Sequence, residues 1–232
     1  GARLLYEFDV EFDRYASETK KDISVADKVF TLNSALQTLF SNWVRLAETD
    51  EYVKENLRPF ERKDVELEVQ DHTADITVAP SPPDSYRMLR RSILATKEHC
   101  DTKLIPLTPF RVHEISLGLK SLWRPSFEWE QCFYDEGEKG MYIYHNQEFK
   151  VLKTIVDYYR HPEPIHAPTM AAEGFYVDWD GVKQTKDSIL ELTGFAHRQL
   201  IDIAVLTARS RFGDGADYSV NIQNIIQKRN II

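Results

Sequence analysis

Only two cysteines, Cys100 and Cys132, occur in 232 residues, and they stand 32 positions apart. No CxxC or comparable metal spacing exists, which argues against a structural zinc site. Two thiols are also too few to staple a secreted domain of this size, so buried free thiols are the simplest reading. Glycine is scarce as well, at 9 residues, and leaves little material for a phosphate-cradling loop. No apolar run reaches the ~18 residues that a membrane span requires. Positive charge is in deficit, with 29 Lys and Arg against 37 Asp and Glu and a formal net charge of −8. An acidic chain gains no affinity for nucleic acid through counterion release, which argues against a sequence-specific reader. Such a surface does let DNA pass without sticking. P-loop, Rossmann, HExxH, GxSxG and EF-hand patterns are all missing, as is any repeat of solenoid or propeller length.

What is present is an ordinary globular balance, 42% hydrophobic and 28% charged, in a length that suits one large domain or one domain with an insertion. Aromatics reach 12%, enough to serve contacts between chains as well as a core. The opening GARLLYEFDVEFDRY is acidic and lacks the shape of a signal peptide.

Hydrophobic periodicity orders the chain. Leu4, Leu5, Phe8, Phe12 and Tyr15 fall on one face of a first helix. Ser24 and Asp27 resemble a capping box, and Val25 to Ala47 then repeats at three and four. A short helix over Glu51 to Leu57 is stopped by Pro59. From Asp64 the period becomes two, with Val65, Leu67 and Val69 alternating against Glu66, Glu68 and Gln70. Tyr86 to Thr96 fits helix or strand equally well. Val112 to Leu122 reads as a short helix. Strands are predicted over Phe127 to Tyr134, Met141 to His145 and Val151 to Tyr159, with Asp135 to Gly140 as a charged turn. Residues 161–170 form a proline-rich extended linker, and Phe175 to Trp179 adds a strand. Ser188 and Glu191 suggest a cap for a helix from Ile189 to Arg209, and a last helix covers Tyr218 to Arg229. The predicted class is α+β. Long N- and C-terminal helices (1–62 and 186–232) pack together, and a strand-rich antiparallel region (63–185) makes one discontinuous unit with them.

Candidate chemistry is thin. His161, Glu163 and His166 are the best metal set, but Pro162 and Pro164 splay them, so an exposed linker is preferred and no metal or cofactor is expected. His72 and Asp75 would suit a hydrolase-type general base, yet Asp71 to Asp75 are also ordinary turn residues. His113–Glu114 and His197–Arg198 read as helix-start and solvated residues. Arg87, Arg90, Arg91 and Lys97 form the densest basic stretch, and salt bridging to the acidic excess is preferred over a phosphate patch. Trp123, Arg124, Phe127 and Trp129 form the densest aromatic cluster, with core anchoring and interface anchoring both open. Ile231 and Ile232 are costly to leave wet, so docking on a partner and intrachain packing are both open.

The order of elements brings a likeness into view. Leu4-Leu5-Tyr6-Glu7-Phe8 precedes a long helix holding Leu32-Asn33-Ser34-Ala35-Leu36-Gln37. Asn56-Leu57-Arg58-Pro59-Phe60 leads into a strand, strands end at Asp157-Tyr158-Tyr159-Arg160-His161-Pro162, and Gln199 to Ala204 lies in the last long helix. This pattern resembles the neck-ring and head-to-tail connector proteins of tailed bacteriophages, and is most similar to the ring proteins of crAss-like short-tailed phages. The resemblance implies a non-enzymatic virion protein, made in the host bacterial cytoplasm and placed in the head-to-tail neck. It would form a closed ring, with twelvefold symmetry as one arrangement. Its partners would be itself, the portal protein and other neck or tail proteins, with DNA passing unread and no membrane contact. In that setting Trp123, Arg124, Phe127, Trp129, Arg87, Arg90, Arg91, Ile231 and Ile232 become interface candidates. A monomeric adaptor, or a hydrolase using His72 and Asp75, is the competing expectation.

Overall fold

The computed structural model describes residues 1–15, 23–110, 124–178, 181–188, 192 and 194–212. The chain divides into two compact units, Gly1–Pro59 with Pro162–Ile232, and Phe60–His161.

The first unit carries the helices. In α1 (Ala2–Tyr15), Leu4, Leu5 and Phe8 are buried and the Phe8 and Phe12 rings stack at 5.7 Å. The next helix, α2 (Val25–Leu46), starts where its sequence says. Ser24 stays extended and its Oγ accepts the Asp27 amide at 3.1 Å, satisfying one of the donors a helix start leaves open. Its apolar stripe, from Val29 through Leu32, Leu36 and Phe40 to Val44, is buried. Asp50 caps α3 (Glu51–Leu57), and Pro59 converts the exit into a single 3-10 turn. After a two-stranded hairpin of β9 (Tyr176–Val177) and β10 (Lys183–Gln184), α4 (Gly194–Phe212) buries Ala196, Leu200, Ile203, Ala204 and Ala208.

Asn33 fastens the proline-rich segment to α2. Its Nδ2 donates to the Ile165 carbonyl at 3.0 Å and its Oδ1 accepts the Ile165 amide at 2.7 Å. One side-chain amide thus satisfies both backbone groups of a residue that is 1% exposed. Asn33→Ala leaves both groups unpaired and is expected to destabilise this unit by about 2 kcal/mol. Asn33→Asp, which keeps the acceptor but loses the donor, is expected not to restore it. Chemical denaturation followed by circular dichroism measures both.

The second unit is a curled mixed sheet. Its strands are β1 (Glu61–Glu68), β2 (Gln70–Thr73), β3 (Ile76–Ala79), β4 (Ser85–Thr96), β5 (Lys103–Pro109), β6 (Cys132–Gly137), β7 (Gly140–Tyr144) and β8 (Lys150–Arg160). They lie in the order β1-β8-β4-β5-β6-β7-β3-β2, and every named pair is antiparallel except β5 with β6. Strands β1 and β2 stand at opposite ends of that order, yet only Val69 separates them in sequence. A single residue spans about 7 Å at most, so the sheet curls until its two ends meet. The curl encloses one core, including Ile93, Ile105, Phe127, Met141, Ile143, Phe149 and Val156, with Val65, Leu67 and Val69 packed against it. The β7–β8 connection joins strands that are not neighbours in the sheet, and in it Asn146 (φ 51°) and Gln147 (φ 56°) are both left-handed.

The α+β arrangement expected from the sequence is corrected. Among the described residues the fold is dominated by the eight-stranded sheet, with only four short helices, and is not framed by long N- and C-terminal helices packing together. The middle is mixed rather than antiparallel, because β5 and β6 run parallel. Two local expectations also shift. Phe127 to Gln131 is a turn closed by the Ser126–Gln131 bridge, and Asp135 to Gly137, expected in a turn, continues β6. The last described helix begins at Gly194, and Ser188 does not cap it. Instead the Ser188 Oγ accepts the His166 amide at 2.7 Å. The expected helices over 112–122 and 218–229, with His113, Glu114, Trp123, Trp179, Ile231 and Ile232, lie outside the described residues.

Candidate interface at the Trp129 turn

The segment Ser126–Gln131 is a closed turn. Ser126 and Gln131 exchange two backbone hydrogen bonds of 2.9 Å, and Glu130 takes a left-handed φ of 53°. This geometry sends two aromatic residues in opposite directions. Phe127 is 2% exposed, close to Phe149, while Trp129 is 80% exposed. A strand would have placed residues two apart on the same face.

The turn is braced on both sides of the indole. Lys97 donates to Glu128 at 2.7 Å and to Glu148 at 2.8 Å. Lys103 stands 3.6 Å from Glu130 and 5.1 Å from the Phe127 ring centroid. Ser126 Oγ accepts the Trp129 amide at 3.3 Å. The Lys97 hydrogen bond holds the Glu128 carboxyl down at about 2, and the two glutamates push the Lys97 ammonium up. Glu128 is exposed and Lys97 half-buried at the surface, so these pairs orient the turn more than they stabilise the fold. An exposed tryptophan on a pre-formed turn suits protein contact, because little freedom is left to lose on binding.

The other sequence candidates are distributed as follows. Arg124 is exposed beside this turn. Arg90 binds Asp157 at 2.9 Å and also Asp64, whose amide donates to Asp157 at 2.7 Å, so it pins the irregular start of β1. Arg91 pairs with Glu136 and lies 4.8 Å from the Tyr134 ring centroid. Arg87, on the same strand, is half-buried. Arg90 and Arg91 are thus engaged by carboxylates of their own unit.

His72 meets the edge of the Tyr142 ring at 5.5 Å, while the Asp75 carboxylate accepts from Gln147 at 3.0 Å. The two are not brought together as an imidazole–carboxylate pair. His161 sits edge-on to Tyr86 at 5.0 Å in the β unit, and His166 Nδ1 lies 3.0 Å from the Tyr176 hydroxyl in the helical unit. Among the described residues no group of three or more His, Cys, Asp or Glu is placed to hold a metal ion. His197 lies 3.7 Å from Glu7.

Sequence reasoning singled out Trp129 and Phe127 but missed Lys97 and Lys103 as their supports. The available signal was the run Glu128-Trp129-Glu130, since a tryptophan between two carboxylates fits a wet turn better than a buried strand. A pocket of about 910 Å³ opens beside Lys97, lined also by Thr96, Cys100, His145, Gln147 and Phe149. His145 Nε2 lies 3.1 Å from the Thr77 hydroxyl at its buried side.

Cys100 is exposed, whereas Cys132 is buried and its thiol is pushed up by desolvation. A thiol without accessible thiolate is inert. An aromatic disulfide reagent is therefore expected to titrate Cys100 in the native protein and Cys132 only after denaturation. Rapid native reaction of both thiols would contradict this burial.

Among the described residues no helix is long and apolar enough to cross a membrane. Compared with known proteins, the chain matches no family model and no curated protein.

Proposed function

We propose that the chain is a structural subunit of an oligomeric ring in the head-to-tail neck of a tailed phage, between portal and tail and around the DNA channel. The observation that carries this reading is the braced, 80% exposed Trp129 at the tip of a closed turn. Such a residue is an anchor for a partner protein, and contact surface is what a ring subunit must supply. The β unit is spliced into the helical unit between Pro59 and Pro162, a layout that suits a module presented for assembly. The net charge of −8 fits a channel through which DNA slides unread.

Electron microscopy of the purified chain in negative stain, alone and mixed with a portal ring, tests the proposal. Annular particles with an open centre are the expected images. Isolated single subunits in both preparations, at the highest concentration that stays clear, would sink it.

A further inference from the structure

We draw no further inference here: the strongest candidate, the pocket beside Lys97 between the β2–β3, β4–β5 and β7–β8 connections, is lined by lysines and glutamates alike around the single exposed cysteine Cys100, and no second observation among the described residues points to the ligand it would take.

Discussion

Gly140→Ala is expected to destabilise the β unit by about 3 kcal/mol, through backbone strain and overpacking together. Gly140 opens β7 with a φ of +123°, a conformation that side-chain-bearing residues rarely adopt. A Cβ there would lie 2.2 Å from the Ala79 carbonyl oxygen and 3.0 Å from Pro80 Cα. Neither neighbour is a flexible side-chain end, so relief requires the β3–β7 ladder itself to shift, starting at the Ala79–Met141 pair. Hydrogen exchange resolved by peptide measures the effect, as lost protection over β3, β6 and β7. Gly181→Ala is the control. Its φ is +79°, but nothing lies within 4 Å of a Cβ, so only the conformational penalty of about 1 kcal/mol remains. Equal losses at both positions would contradict the close approach at Gly140.

Phe40→Ala is expected to remove about 3–5 kcal/mol from the helical unit. Phe40 is 0% exposed in the middle of α2, and truncation leaves a cavity that its helical neighbours fill only in part. Because the chain divides into two units, a single melting temperature is a poor reporter, and exchange protection along α2 is the better one. A loss under about 1 kcal/mol would mean that α2 is not held by its apolar stripe.

The parts of the fold legible in the sequence are those with a strong local rule. Helix α2 was readable from Ser24 to its last turn because capping and period agree there. The alternation of Val65, Leu67 and Val69 was readable because one sheet face is wet. The dominance of the sheet was not readable, since it depends on pairings between strands far apart in sequence, such as β1 with β8 and β5 with β6. No local pattern announces a parallel pair, and Tyr86 to Thr96 stayed ambiguous until β5 and β8 flanked it. Ser188 misled for a related reason. Its short polar side chain suits a helix cap, but the distant His166 backbone recruits it.

The candidate interface was legible in part. Composition pointed to Trp129 and its aromatic neighbours, yet the supporting Lys97 and Lys103 come from the opposite ends of another connection, β4 to β5. Their pairing with Glu128 and Glu130 is a tertiary fact. The basic stretch is the converse case. Arg90 and Arg91 looked like one patch in sequence, but each is drawn to a different carboxylate of the β unit.

The central claim is that this chain assembles into a closed ring. Light-scattering mass across a concentration series tests it most directly. The account predicts a rise from the 27.0 kDa subunit to a plateau at one fixed multiple of that mass. A mass of 27.0 kDa at every concentration, or one that climbs without a plateau, would contradict it.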